Sequence, residues 1–337
     1  MRKLFYLLLV LALVGGGAAY WVLLMNNVNP ANAHPYINIP TGAQMSDVTR
    51  ILEERGILKS MQTFQLTAQL KGYKTVKPGH YVFTKTMSNR EIVNMLESGH
   101  QVPVKLVIYN IRTKEELAGL IGRTLEIDSV AYLAKLNDPD FCAGYHLDTN
   151  QIIALFIADS YSMKWNTNMI DFTNKMKGYY DKFWTNERRD TAKQLGYTPA
   201  EVTTLASIVE KECTFDKELP TVAGVYLNRL RIDMPLQADP TLKFATRDFG
   251  AKRVTDYHKK FSSPYNTYQH AGIPPGPICI PNKKSIEAVL NPESHDYIYF
   301  CANPDMSGYQ VFSRTLAEQN KIVAEYHKKL DQKKILK

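Results

Sequence analysis

An uncharged apolar run near the start of the chain, from Leu4 to Met25, constrains the fold more than any other feature of the sequence. At about 1.5 Å per residue, a helix of this length crosses a hydrocarbon core of about 30 Å. Arg2 and Lys3 precede the run, and the positive-inside tendency predicts that they stay in the cytoplasm. We therefore expect residues 1–26 to form a cytoplasmic tip and a single-pass anchor in the inner (cytoplasmic) membrane, with the later domains on the periplasmic or extracytoplasmic side.

A cleaved signal peptide is the competing interpretation, because residues 31–33 (Ala-Asn-Ala) resemble a small-x-small cleavage site. The apolar run is longer than the roughly 7–15 apolar residues of a signal peptide, which favours a retained anchor. Under either interpretation the functional domains lie beyond the membrane.

Length, charge and cysteine spacing limit the remaining possibilities. A chain of 337 residues is long enough for two folded units. The net charge is +8, but the basic residues are dispersed rather than clustered with aromatic residues, so we expect no nucleic-acid partner. Part of the excess lies in the final run K-K-L-D-Q-K-K-I-L-K, which is typical of a solvated helix end. The four cysteines lack metal-site spacing and are expected to be buried thiols, although a bridge between Cys279 and Cys301 stays open.

Residues 36–101 carry the pattern of a small α+β unit. Tyr36–Ile39 alternates as a strand, and helical spacing predicts helices over Met45–Arg55 and Met61–Lys71. A short strand follows in K-P-G-H-Y-V-F, and a capping box at Ser88 opens a last helix. Units of this size and pattern are more often binding modules than catalytic domains.

The rest of the chain divides into a helical middle region, residues 102–197, and a C-terminal region, residues 198–337. The middle region begins with a strand, Val102–Tyr109, and continues as helices. The C-terminal region is predicted to contain a helix starting at Pro220, two strands and a final helix. Those last three elements are expected over Tyr297–Ala302, Gln310–Phe312 and Thr315–Leu330.

The C-terminal region opens with a strongly signalled helix, predicted over Thr198–Phe215. Thr198 and Glu201 form a capping box, and Pro199 occupies the first helical position. The apolar positions fall on one helical face, which we expect to be the buried one; they are Val202, Leu205, Val209 and Cys213.

Two glutamates near the end of this helix point in different directions. Glu212 falls inside the apolar sector, whereas Glu210 falls on the opposite flank, roughly 160° away, and Lys211 points outward. Desolvation raises the pKa of a carboxylic acid, as a proton donor near neutral pH requires. The alternative is a glutamate whose stem packs on the helix while its carboxylate reaches water.

Two loops rich in proline and glycine follow. M-P-L-Q-A-D-P-T presents Gln237, Asp239 and Thr241, and S-P-Y-N-T-Y-Q-H-A-G-I-P-P-G-P-I presents Asn266 and His270, among others. Constrained loops of this kind form either binding rims or purely structural connections, and composition does not separate the two.

Taken together, five motifs resemble the YceG-like family of endolytic murein transglycosylases over nearly the whole chain. They are L-A-S-I-V-E-K-E, V-A-G-V-Y-L-N-R-L, M-P-L-Q-A-D-P-T, S-P-Y-N-T-Y and G-I-P-P-G-P-I. The resemblance implies an α+β chain: one transmembrane helix, a LysM-like α+β module and a mixed α/β YceG-like catalytic domain. Two departures affect the middle region, where Tyr109–Arg112 replaces an acid-glycine pair and F-I-A-D-S-Y replaces F-P-D-T-Y.

The resemblance also implies an activity. Family members cleave the β-1,4 bond between N-acetylmuramic acid and N-acetylglucosamine within peptidoglycan strands, leaving 1,6-anhydro ends, and use neither a metal nor another cofactor. By this resemblance Glu212 is the catalytic acid. Glu210 either supports it, because a nearby like charge raises the pKa of Glu212, or is a structural acid of the helix surface. The loop positions expected to bind or orient substrate are Gln237, Asp239, Asn266 and Tyr268, whereas His270 is expected at the rim.

Cell-wall synthases are the protein partners that the family suggests, in a role that ends elongation of nascent strands. The alternative from another class is a membrane-anchored, non-catalytic scaffold that binds peptidoglycan and tethers those synthases. The E-K-E triplet favours the enzyme, because a scaffold does not need an acid within an apolar sector.

Overall fold

The computed structural model describes residues 2–332; Met1 and residues 333–337, which include the end of the basic C-terminal run, lie outside it. The helices are α1 (Arg2–Leu24), α2 (Met45–Glu54), α3 (Met61–Lys71), α4 (Asn89–Ser98), α5 (Lys114–Thr124), α6 (Ser129–Leu136), α7 (Pro139–Ala143), α8 (Met169–Phe183), α9 (Asn186–Gln194), α10 (Pro199–Glu212), α11 (Leu219–Arg231), α12 (Asp239–Ala245), α13 (Asp256–Lys260), α14 (Lys283–Leu290) and α15 (Leu316–Gln332).

The strands are short and form three two-stranded sheets. They are β1 (Tyr36–Ile39), β2 (Gly79–Val82), β3 (Val104–Ile108), β4 (Asp159–Met163), β5 (Tyr299–Ala302) and β6 (Gln310–Ser313). The pairs are β1 with β2, β3 with β4, and β5 with β6. The predicted mixture of helices and strands behind an apolar N-terminal helix is confirmed.

The apolar run folds as α1. The segment Lys3–Leu24 has a mean hydropathy of 2.3, so this helix can span a membrane by length and composition. None of its most apolar window is buried within the protein. An exposed apolar surface of this length is consistent with a membrane span.

The chain forms two compact units, the first of which contains Met1–Leu106, Ile121–Asp128 and Tyr161–Met169. The predicted strand over Tyr36–Ile39 is confirmed, and β1 pairs antiparallel with β2 so that Tyr36 lies opposite Val82. The sheet and α2–α4 enclose a buried core that includes Ile37, Leu52 and Phe64.

Local signals set the helix ends in this unit. The Ser88 hydroxyl accepts a hydrogen bond from the backbone N–H of Glu91, and the Glu91 carboxylate accepts one from the N–H of Ser88, so the predicted capping box is confirmed. Gly72 ends α3 and Gly99 ends α4, with φ of 67° and 73°. These left-handed conformations strain residues that carry a Cβ.

The second unit contains Val107–Leu120, Ser129–Ser160 and Ile170–Lys337, and α10 lies at its centre. Helices α11, α12 and α14 pack on α10, while β5 pairs antiparallel with β6. The final strands and helix agree with prediction to within about two residues, the usual uncertainty of element ends.

One feature of the second half was not predicted. Strand β4, D-S-Y-S-M, interrupts the predicted helical middle region, with Tyr161 and Met163 facing inward. Its alternation spans only five residues, too few to stand out among helical patterns. The four cysteines are free thiols as expected, and the possible bridge between Cys279 and Cys301 does not form. Cys142 and Cys279 are buried as predicted, whereas Cys213 and Cys301 are only partly buried.

Candidate active site

Helix α10 carries the two glutamates, and its burial differs from prediction. All residues from Val202 to Val209 are buried, so the expectation of a single buried face is wrong. The face that looked polar consists of small residues whose hydroxyls bond to carbonyls of the same helix, as Thr204 Oγ1 does to Ala200 O at 2.8 Å. Satisfied hydroxyls can be buried at low cost, which allows neighbouring helices to surround α10.

The helix also ends earlier than predicted. Cys213 has an extended backbone, with φ −93° and ψ 133°, so α10 stops at Glu212 rather than at Phe215. Gln310 Nε2 donates to the backbone carbonyl of Glu212 at 3.4 Å. Glu212 is therefore the last helical residue, and its side chain projects from the end of a rigid, buried helix.

The Glu212 carboxyl group has an unusual electrostatic environment. Its Oε1 accepts a hydrogen bond from the hydroxyl of Tyr226, on α11, at 3.0 Å. Burial raises the pKa of Glu212 to about 7, and the negative charge of Asp239 acts in the same direction. The Tyr226 hydrogen bond and the positive charges of Arg229 and Lys243 oppose this rise. A carboxyl group with this pKa can donate and accept a proton near neutral pH.

Glu210 points away from this site. Its Oε2 accepts from the backbone N–H of Asn282 at 2.6 Å and from Ser285 Oγ at 3.2 Å, at the N-terminus of α14. Its other oxygen lies 3.7 Å from Lys211 Nζ. Glu210 therefore joins α10 to a helix N-terminus, where a negative charge is favourable. Lys211 does not point freely outward as predicted, because its Nζ also donates to Asn110 Oδ1 at 3.0 Å.

The first predicted loop positions Gln237 and Asp239. It was expected to be irregular throughout, but α12 begins at Asp239, with Pro240 in the first turn. A proline lacks the N–H that the first turn of a helix leaves unbonded, which makes it compatible with this start. Asp239 Oδ1 accepts from the Tyr268 hydroxyl at 2.6 Å. Gln237 is exposed and has a left-handed backbone, with φ 47°.

Asn266 was predicted to bind or orient substrate, but its side chain is buried inside the protein. The residue is fully buried, and its Nδ2 donates to the carbonyls of Lys259 and Phe261 at 2.9 and 2.8 Å. Its Oδ1 accepts from the backbone N–H of Tyr268 at 3.0 Å. Asn266 therefore shapes the loop that presents Tyr268, whereas His270 lies exposed on the same loop.

Two clefts meet at Glu212 and Asp239. The first cleft has a volume of about 250 Å³ and is lined by Arg112, Lys211, Glu212, Asp239, Pro240, Lys243, Phe244, Phe249 and Ile278. The second cleft has about 270 Å³ and is lined by Glu212, Tyr226, Arg229, Leu236, Gln237, Asp239, Tyr268, Phe300, Cys301, Ala302 and Gln310. An extended ligand that occupies both clefts crosses the Glu212 carboxyl group.

Several lining residues were not predicted as site residues. Tyr226 and Arg229, both on α11, were not among the residues predicted to act in catalysis or to bind substrate. Arg229 is 6% exposed, and its Nε and Nη1 donate to the carbonyls of Ile298 and Leu236 at 2.6 and 2.7 Å. Of these lining residues, only Lys243 could have been placed near the site from the sequence, because it lies one helical turn after Asp239. Within residues 2–332, no group of three or more His, Cys, Asp or Glu side chains could hold a metal ion.

Comparisons with protein families, curated proteins and solved structures all find similarity to the same protein family. The model of the YceG-like family matches residues 37–325. The endolytic murein transglycosylase of Bacillus subtilis is 28% identical, over 93% of this chain and 91% of that protein. The endolytic murein transglycosylase of Streptococcus pneumoniae serotype 2 is also 28% identical over 95% of this chain, which spans 64% of the streptococcal protein. The crystal structure of a YceG-like protein from Listeria monocytogenes superposes with a TM-score of 0.59 and 28% identity, over 86% of this chain and 98% of that one.

Proposed function

The chain belongs to the YceG-like family, and we propose that it cleaves peptidoglycan as a lytic transglycosylase in which Glu212 is the catalytic acid. The observation that carries the proposal is a carboxyl group with a pKa near 7 at the junction of two clefts. A glycan strand has the extended shape that such a pair of clefts accommodates. The activity in the names of the relatives from Bacillus subtilis and Streptococcus pneumoniae supports the same assignment.

The reaction needs one acid-base group. Protonated Glu212 donates its proton to the glycosidic oxygen as the bond from that oxygen to C1 of N-acetylmuramic acid breaks. The 6-hydroxyl of the same sugar attacks C1, and its proton passes to the Glu212 carboxylate as the 1,6-anhydro ring closes. No water is consumed, so the paired carboxylates of most glycoside hydrolases are not required. Because Glu212 must begin protonated, activity falls as the pH rises through about 7.

The surrounding residues tune and position this acid. Tyr226 holds the carboxyl group and stabilises the carboxylate that forms after proton donation. Asp239 and Tyr268 form a hydrogen-bonded pair that faces the substrate, and Gln237 contributes to the same cleft. Asn266 orients their loop. Glu210 supports the catalytic helix through its contact with α14 instead of contacting substrate.

The finer features of the activity follow the family resemblance. We infer cleavage within strands, at the bond between N-acetylmuramic acid and N-acetylglucosamine, in a role that ends strand elongation beside cell-wall synthases. Residues 36–101 act as a LysM-like glycan-binding module, ahead of the middle region 102–197 and the catalytic region 198–337. α1 anchors the chain in the cytoplasmic membrane with these domains on its outer side.

The test is digestion of purified peptidoglycan by the detergent-solubilised chain, with products identified by mass spectrometry. Wild-type protein is expected to release 1,6-anhydro muropeptides, and Glu212→Gln to release none while retaining its circular dichroism spectrum. Glu210→Gln is the matched control from the same helix and retains the product type. If wild-type protein binds glycan without anhydro products, the chain is a scaffold; if Glu212→Gln is fully active, another group is the acid.

A further inference from the structure

The two clefts that meet at Glu212 differ in charge. Three cationic side chains line the first cleft: Arg112, Lys211 and Lys243. The second cleft contains one, Arg229. Asp239 lines both clefts, so it does not account for the difference.

The cations of the first cleft are available to a ligand to different degrees. Lys211 is partly neutralised by Glu210, 3.7 Å away. Within residues 2–332, neither Arg112 nor Lys243 forms an ion pair with a carboxylate; the Arg112 guanidinium instead lies over the Phe249 ring, 4.9 Å from its centroid. Lys243 acts electrostatically on Glu212, which places its charge beside the reacting group. Neither of these two cations is held in a salt bridge by the described residues, so both can contact an anionic ligand.

The cation of the second cleft, Arg229, already contacts groups of the protein itself. Arg229 is buried, donates to the carbonyls of Ile298 and Leu236, and lies over the Tyr299 ring with its Cζ 5.5 Å from the centroid. Apart from the carboxyl groups of Glu212 and Asp239, which line both clefts, the polar side chains of this cleft are uncharged, as in Gln237 and Gln310. The second cleft thus provides hydrogen bonds but little free positive charge.

The lining of the first cleft also suits a sugar ring. Phe244, Phe249, Pro240 and Ile278 provide apolar surface beside the cations. The apolar face of a pyranose packs on such a surface, while a carboxylate carried by the sugar reaches a lysine or arginine. In peptidoglycan only the muramyl residue carries carboxylates, on its lactyl group or on its stem peptide; N-acetylglucosamine is neutral.

We propose that the first cleft binds the muramyl residue through one of its carboxylates, with Lys243 and Arg112 as the specificity-determining residues, and that the second cleft binds the adjacent N-acetylglucosamine. The inference rests on the proposed function for the identity of the substrate. It fixes the direction of the strand, because the sugar whose C1 reacts then lies in the first cleft. The new anhydro end forms there, and the fragment released from the glycosidic oxygen leaves through the second cleft.

The test measures binding instead of turnover, in full-length Glu212→Gln protein. Three ligands are compared: peptide-free glycan oligosaccharides with free lactyl carboxylates, the same oligosaccharides with those carboxylates converted to neutral amides, and oligosaccharides bearing stem peptides. Adding Lys243→Gln or Arg112→Gln is expected to weaken binding of an anionic ligand roughly twofold to tenfold, and to leave binding of the amidated ligand unchanged. Lys175→Gln, which removes an exposed charge from α8, is the matched control and changes neither.

The ligands also identify the carboxylate. Weaker binding of the peptide-free acid assigns the contact to the lactyl group, and weaker binding only of the peptide-bearing ligand assigns it to the stem; both results support the proposal. Equal loss of affinity for the amidated ligand, or no loss for any ligand, overturns it. Because no turnover is required, failure of the proposed function shows separately as an absence of anhydro products from wild-type protein.

Discussion

Replacing Glu212 by glutamine is expected to stabilise the protein at alkaline pH while it abolishes catalysis. The pKa of Glu212 rises from 4.5 to about 7 on folding. Between these values the unfolded chain is ionised while the folded protein holds a proton, so the free energy of unfolding falls as the pH increases. Each pKa unit corresponds to about 1.4 kcal/mol, so the ionised carboxylate costs up to about 3 kcal/mol of stability above pH 7.

Glutamine retains the shape of the side chain and an oxygen that accepts from Tyr226, but it does not ionise. The variant and wild type should therefore have similar stability near or below pH 4.5, and the variant should be more stable by up to about 3 kcal/mol near pH 8. In a unit of about 200 residues this corresponds to roughly 6–12 °C in Tm. The gain is the energy that the wild-type protein gives up to keep a proton donor at neutral pH.

The assay is urea unfolding of the detergent-solubilised full-length chain, followed by circular dichroism across this pH range. Glu187→Gln, on the exposed start of α9, controls for loss of one negative charge; it should change stability only slightly and should not stabilise the protein near pH 8. The reasoning is refuted if Glu212→Gln differs from wild type by the same amount at both ends of the pH range, or if it is less stable near pH 8.

Four further substitutions test the surrounding contacts. Tyr226→Phe removes a hydrogen bond that lowers the pKa of Glu212, so the alkaline limit of activity in a pH-rate profile should move to higher pH; a shift to lower pH would contradict this. Asp239→Asn removes a charge that raises this pKa, so the same limit should move to lower pH; a shift upward would contradict the assigned sign. Asn266→Ala removes the hydrogen bonds that this buried side chain makes with the carbonyls of Lys259 and Phe261 and with the N–H of Tyr268, so it should cost about 2 kcal/mol in urea unfolding; an unchanged unfolding midpoint would contradict this. Glu210→Gln should lower stability by about 1 kcal/mol and leave the product type unaltered; complete loss of anhydro products would instead make Glu210 part of the chemistry.

The sequence by itself determined the features that depend on neighbouring residues. The apolar run became α1, the capping boxes at Ser88 and Thr198 formed as predicted, and glycines ended α3 and α4. Each of these involves hydrogen bonds or side-chain periodicity within a few residues, so it can be derived from a short stretch of chain. The helical phase also separated Glu212 from Glu210 correctly in direction, because that angle depends only on helix geometry.

Only the tertiary structure decided what surrounds those side chains. Partners distant in sequence set the environment of Glu212: Tyr226 lies on α11, and Asp239 and Lys243 lie on α12. The sequence also did not reveal that α10 is buried on every side. Its small hydroxyl-bearing residues are compatible with either water or a neighbouring helix, so their identity does not predict their burial. Burial and charge interactions depend on which elements pack together in three dimensions, so the pKa of Glu212 and the two clefts beside it follow from the fold as a whole.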